Sequence, residues 1–255
     1  MGRDHILKHC MESLESQTFK DYETILCQKE GNLVEFKDKG LRQAKGEITI
    51  WLDDDVYCGK YMLEEILKLF KNKSIVGVTG NTTVPFNYRK NRDILNDSWW
   101  NFLYNQLFLD GEHLIPGKIS RCGASTLGAN YTTKESMIQR DVDFLEPCMF
   151  AIRTKEVLDV GGFDYGYTGV AEWCDVDLCY RIKQRTGKRL VYSPEVRCLH
   201  MPIKDKVIYE KRFETKSRYA NYLRFSKRWV KPNFKHYVYR MFLKTYYFLK
   251  GRRMI

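Results

Sequence analysis

The stretch that most constrains this chain is Ile48 to Val56, which reads ITIWLDDDV. Ile48, Ile50 and Leu52 alternate with Thr49 and Trp51, and three aspartates follow without a gap. The apolar part suits a buried strand of an α/β sheet. Asp53, Asp54 and Asp55 then stand at its carboxyl end, where open α/β sheets take their ligands. Adjacent carboxylates repel one another unless they are solvated or bound to a cation. A hard divalent ion such as Mg2+ or Mn2+ takes oxygen ligands and shares them with phosphates. A solvated acidic turn accounts for the same residues equally well, so the stretch alone leaves both readings open.

Around it, helical and strand periods alternate. Asp4 to Gln17 reads as a helix, with Ile6, Leu7, Cys10, Met11 and Leu14 on one face and Asp4 able to cap it. Tyr22 to Cys27 reads as a strand, and Gly31-Asn32 breaks the pattern. Leu33 to Ala44 reads as a short helix, stopped by Lys45-Gly46. Tyr61 to Lys71 reads as a helix and Ile75 to Thr79 as a buried strand. Residues 85–121 hold an aromatic cluster, Trp99, Trp100, Phe102, Tyr104 and Phe108, read as a helical core or packing surface, with a substrate-binding wall as the lesser alternative. Then follow a strand (Glu146 to Ile152), a helix (Arg153 to Val160), a Gly161-Gly162-Phe163-Asp164 loop, and a helix (Glu172 to Arg185). A strand at Arg189 to Ser193 ends at Pro194, and Val196 to His200 leads out. The expectation is an α/β domain with a mostly parallel central sheet over residues 1–205.

Residues 206–255 differ in kind. They hold 15 Lys+Arg against 2 Asp+Glu, whereas the preceding 205 hold 28 against 30, so the formal +11 belongs to the tail. Thirteen aromatics are interleaved there, and Pro232 divides two expected helices. A basic, aromatic amphipathic helix suits an anionic membrane surface. Packing on the body is the plainer alternative, and single-stranded nucleic acid ranks last. No run of about 18 apolar residues occurs. The eight cysteines form no CxxC pair, and the N-terminus lacks a signal-peptide h-region. The expectation is a reduced, cytoplasmic chain, peripheral on the cytoplasmic membrane face.

Three separated pieces then combine: LDDDV at 52–56; GGFD at 161–164 with CDVDLCYR at 174–181; and Tyr192-Ser193-Pro194 running to His200. Together with CMESLESQTFKDYETIL and LRQAKGEITIWLDDDV they resemble family 2 glycosyltransferases of the GT-A fold, which is related to the Rossmann fold, over residues 5–200. The resemblance implies a single GT-A-like domain with a helical C-terminal extension. It also implies transfer of one sugar from a nucleotide diphosphate sugar to a glycan or lipid-linked acceptor. In that pattern Asp53 and Asp55 hold the cation on the donor diphosphate, and Asp54 faces sugar or ribose. Asp175 is the general base that takes the acceptor proton. Cys174 stands where the family has glutamate.

The resemblance further implies that Asp177 supports the site from behind and that His200 completes the metal shell, unless it merely packs. Gly161 and Gly162 lie beside the donor or simply stop a helix. Lys37-Asp38-Lys39-Gly40 replaces an Arg-Asn-x-Gly run near the donor, so Lys37 keeps charge without the bidentate fork. The QxxRW run of processive polymerases is absent after Asp175, which favours single additions. The family also opens with a strand that supplies the sheet centre, and this chain begins at the helix after it. Strands at 22–27 and 48–52 would then pair directly, accept a partner between them, or belong to a truncated chain. The competing reading is an inactive GT-A remnant that serves as a glycan-binding or scaffold module.

Overall fold

A computed structural model describes residues 4–27, 32–85, 99–201 and 215–252. The Asp4 side chain, Gln28 to Gly31 and the start of the aromatic stretch lie outside the described residues.

The sheet is built from β1 (Ile48–Leu52), β2 (Val56–Cys58), β3 (Ile75–Thr83), β4 (Arg140–Asp141), β5 (Met149–Arg153) and β6 (Arg189–His200). Its order is β1-β5-β3-β6-β2, with β4 also on β6. Among the described residues only β3 and β6 pair parallel, and every other ladder is antiparallel. The mostly parallel sheet expected from the sequence is therefore corrected to a mixed one. β1, β3 and β6 do run in one direction, but β5 enters between β1 and β3 in the other. Apolar runs report burial and leave strand direction open, so this reversal has no signature in the sequence. β6 is also one long strand. Its register against β3 jumps from Gly80↔Ser193 to Asn81↔Arg197, a bulge containing Pro194, whose missing N–H cannot join the ladder.

Helices cover both faces. α1 (Asp4–Glu15) and α3 (Met62–Phe70) lie on one side. There Ile66, Phe70, Val78 and Val196 form a core against which Ile48, Ile50 and Leu52 pack. α2 (Leu33–Gln43), α5 (Thr154–Asp159) and α6 (Cys174–Thr186) serve the other. Val34, Leu41, Val157, Leu178 and Ile182 form that core, with Trp51 packed against it. The alternation within β1 thus sends its side chains into two different cores. Asn32 caps α2 by accepting from the Val34 N–H at 3.2 Å. Gly187, at φ 65°, ends α6 in the left-handed conformation.

α4 (Trp99–Phe108), α7 (Thr215–Trp229) and α8 (Phe234–Arg252) complete the chain. Phe225 of α7 is fully buried in the α6 core. Asp177 accepts from Arg181 Nε, Arg228 Nη1 and Trp229 Nε1, each at 2.8 Å, and so fastens α7 to α6. Phe108 on α4 packs against Tyr239 and Phe242 of α8. No described helix is long and apolar enough to cross a membrane.

The expected strand at 22–27 does not form; these residues take no regular structure. They also do not pair with β1, whose only ladder among the described residues is to β5. Direct closure of the gap between the two segments is therefore excluded. YETILC has the apolar content of a strand, but a strand exists only through a ladder, and these residues have none.

Candidate active site

β1 carries the chain to Asp53, whose N–H donates to the Cys148 carbonyl at 3.0 Å. A tight turn follows, closed by the Val56 N–H on the Asp53 carbonyl at 3.2 Å. β2 then pairs with β6 so that Val56 faces His200, and the Met201 N–H donates to the Asp55 carbonyl at 2.8 Å. Strand pairing thus sets the end of β6 against the aspartate turn. One ligand atom from each of Asp53, Asp55 and His200 lies within 4.8 Å of the others. His200 Nε2 is 3.5 Å from Asp55 Oδ1.

Crowding by protein pushes the Asp53 carboxyl up to about 6, against the lowering effect of Lys37 and with a further push from Asp55. Asp53 still opens to the cleft, whereas Asp55 is buried. Burial alone would lower His200, but its hydrogen bond to Asp55 and the two aspartate charges outweigh burial and hold it above the ordinary histidine value. Two carboxylates and an imidazole within reach of a single point fit a divalent cation. That ion would offset the burial that raises Asp53 and the added repulsion from Asp55.

Lys37, Asp53, Asp54, Glu146 and Asp175 line one cleft of about 2830 Å³. Across from the aspartate turn, Lys37 Nζ donates to Asp175 Oδ1 at 2.6 Å. Both side chains are mostly buried, and Lys37 also lies 5.8 Å from the ring centres of Phe150 and Phe163. Burial would lower the lysine, but the facing Asp175 carboxylate keeps it raised. Asp175 sits in the first turn of α6, just after Trp173 at φ 76°. That left-handed backbone is unusual for a bulky residue. The Trp173 ring is held by stacking on Phe225 at 4.8 Å.

The structure separates three expected donor contacts from this cleft. Asp38 is buried and turned to the 162–165 loop, accepting from the Phe163 N–H at 3.2 Å, Tyr165 Oη at 2.8 Å and Arg42 Nε at 2.8 Å. Its charge, awkward beside a diphosphate, is used there instead. Gly161 and Gly162 stop α5, with N–H groups donating to Leu158 and Val157 carbonyls at 2.9 Å. Asp177 stands behind Asp175 on α6, where it fastens α7.

Glu146 was not anticipated as a site residue. Burial pushes it up to about 7, although Asn130 and His200 act to lower it. Its only sequence signal is an acidic residue opening a strand. That signal gains meaning once β5 is seen to run antiparallel to β1, which brings the start of β5 to the end of β1.

Residues 28–124, which contain Lys37 and all three aspartates of the turn, match the model described as Glycosyl transferase family 2. Over those residues the chain resembles that family. No curated protein matches this chain in sequence. Among solved structures it is similar to the mannosyltransferase PcManGT from Pyrobaculum calidifontis, in complex with GDP-Man and Mn2+. The identity is 14% and the TM-score 0.52, covering 95% of this chain and 66% of that one. It is also similar to GalNAc-T7 with UDP, GalNAc and Mn2+, at 15% identity and a TM-score of 0.49. That match covers 76% of this chain and 34% of the other, so the chain spans about a third of the one relative and about two thirds of the other. The α/β fold with its central sheet resembles the GT-A fold of the PcManGT structure.

Proposed function

We propose that the chain is a glycosyltransferase that moves one sugar from a nucleoside diphosphate sugar to a hydroxyl of a glycan or lipid-linked acceptor, with inversion. The observation that carries this is the placement of Asp53 and the Lys37–Asp175 pair on one cleft, with Asp55 and His200 gathered behind Asp53. Asp53, Asp55 and His200 would hold Mg2+ or Mn2+. Such an ion neutralises the charge of a departing diphosphate.

Asp175 is the group that accepts the proton from the acceptor hydroxyl as its oxygen attacks the anomeric carbon. Lys37 holds this carboxylate in one orientation until acceptor arrives. Asp54 lines the donor side of the cleft. Apolar lining from Trp100, Tyr104, Met241 and Phe242 continues the same cleft between α4 and α8 and suits the hydrocarbon part of a lipid-linked acceptor.

The anionic membrane surface is the proposed setting. Trp100 and Met241 are mostly exposed on α4 and α8, and Lys244 lies one turn from Met241. The domain boundary near 205 is proposed as one of sequence composition, with α7 serving as part of the folded body.

The test is calorimetric titration of UDP and GDP with and without Mn2+, on the wild type and on Asp53→Ala/Asp55→Ala. Mn2+-dependent binding that the double substitution removes is expected. Turnover of the matching donor should fall by about 10²–10⁴-fold in Asp175→Asn with nucleotide binding retained. Nucleotide binding indifferent to Mn2+ and to both aspartates would sink the proposal. Glycan binding with no donor turnover would favour the scaffold reading.

A further inference from the structure

Glu146 has no task in the reaction proposed above, yet it is held as a site residue is held. It stands just before β5, is buried, and lines the same cleft as Asp53 and Asp54. Its backbone is pinned twice. The Glu146 N–H donates to Thr79 Oγ1 at 3.2 Å, and its carbonyl accepts from the Met149 N–H at 3.1 Å. Its side chain is aimed by Asn130, whose Nδ2 donates to Glu146 Oε1 at 3.3 Å. Asn130 is itself fixed, because Thr82 Oγ1 donates to its Oδ1 at 3.1 Å and the Val84 N–H to its carbonyl at 3.0 Å. Among the described residues Glu146 Oε2 has no partner, and it is not sealed in the core. One carboxylate oxygen is therefore held from behind while the other is presented to the cleft. Recognition of a ligand group needs a side chain locked in this way.

The chemistry around Oε2 narrows what it can meet. A carboxylate accepts hydrogen bonds or binds a cation, and it repels phosphate. Ligand atoms of Asp53, Asp55 and His200 lie within 4.8 Å of one another, and among the described residues no Glu146 oxygen joins them. The cation's place is thus apart from Glu146, which leaves a hydroxyl. The neighbouring charges say which substrate carries it. Glu146 and His200 act on each other, whereas Asp175 is paired with Lys37. Glu146 therefore stands on the metal side of the cleft, where a donor's diphosphate and the sugar attached to it would lie.

We propose that Glu146 is a specificity residue for the donor: its Oε2 accepts a hydrogen bond from one hydroxyl of the transferred sugar, with Asn130 positioning it. The proposal rests on the glycosyltransferase reading above. A site built to bond a hydroxyl rejects the analogue that lacks it, because the buried acceptor is then left unpaired.

The probes are UDP-glucose, UDP-galactose, UDP-N-acetylglucosamine and GDP-mannose, titrated with Mn2+ beside bare UDP and GDP. Singly deoxygenated analogues of the tightest-binding sugar follow. In Glu146→Gln the amide oxygen takes the Asn130 bond, so an N–H2 donor replaces the acceptor on the cleft. This variant should bind the nucleotide sugar about 10–100-fold more weakly and the bare nucleotide as the wild type does. One deoxy analogue should lose about as much on the wild type, and on Glu146→Gln it should bind no worse than its parent. Glu146→Asp, which draws the carboxylate back by one methylene, should lose the sugar contact too and serves if Glu146→Gln fails to fold. Equal weakening of nucleotide sugar and bare nucleotide, or weakening of neither, overturns the proposal. A nucleotide sugar that binds no tighter than its bare nucleotide on the wild type overturns it as well. Binding of no nucleotide at all overturns the glycosyltransferase reading and this assignment with it.

Discussion

Lys37 of α2 and Asp175 of α6 meet through a 2.6 Å hydrogen bond at the wall of the cleft, although 138 residues separate them. Each neutralises a charge that would otherwise be buried alone. Breaking a buried pair from one side is costly, whereas removing both partners is far less so. Lys37→Met and Asp175→Asn should each lose about 3 kcal/mol of stability, and the double substitution less than either single one. Urea unfolding of the four proteins measures this cycle. Simple additivity would show that the pair is decoupled.

Phe225 should behave as a core residue of the body. Phe225→Ala is expected to cost about 3–5 kcal/mol. It also removes the stacking partner of Trp173, so donor turnover should fall by more than nucleotide binding does. A loss under 1 kcal/mol in thermal unfolding would mean that α7 is only loosely attached.

The two glycines after α5 should respond differently. Gly161 sits at φ 83° with nothing within 4 Å of an added Cβ, so Gly161→Ala carries only the left-handed backbone penalty, about 1–2 kcal/mol. At Gly162, φ 72°, the Cβ would lie 1.9 Å from Asp38 Oδ1. Gly162→Ala should therefore cost clearly more, and Asp38→Ala should narrow the difference. Calorimetric melting of the three variants and the double substitution decides it.

Glu146 ties stability to pH. Burial raises its folded-state value to about 7 from an ordinary 4.5, so folding favours the protonated form. Its penalty is absent below the ordinary value, grows between 4.5 and about 7, and stays constant above. Glu146→Gln should be close to neutral at pH 4 and stabilising by about 1–3 kcal/mol at pH 8. Equal effects at the two pH values in urea titrations would show that Glu146 ionises as freely folded as unfolded.

The placement of several candidate site residues could be read before the fold was known, for an identifiable reason. Asp53 and Asp55 follow a strand whose period is strong, β1, so their position follows from local pattern, whereas Asp175 on α6 rests on the family resemblance. His200 was implied by the family resemblance, with packing as the alternative, and its approach to Asp55 depends on the β2·β6 register. Non-local geometry was the hidden part. The reversed direction of β5 gives Glu146 its place, and only tertiary contact shows that Asp38 serves the 162–165 loop. The strand expected at 22–27 failed because apolar content cannot supply a neighbour. In the tail, net charge concealed specific use: Arg224 and Arg228 meet Asp164 and Asp177 of the body.

The β2·β6 ladder is three pairs long, and it sets His200 beside Asp55. Strand side chains alternate, so a slip of one residue would bring Leu199 to that place and turn the imidazole to the opposite face of the sheet. Only molecules whose last strand has seated in native alignment present all three ligands together. A cation held there would favour those molecules by mass action. In a chain with so short a closing ladder, the ion would then proofread strand alignment as well as serve the reaction.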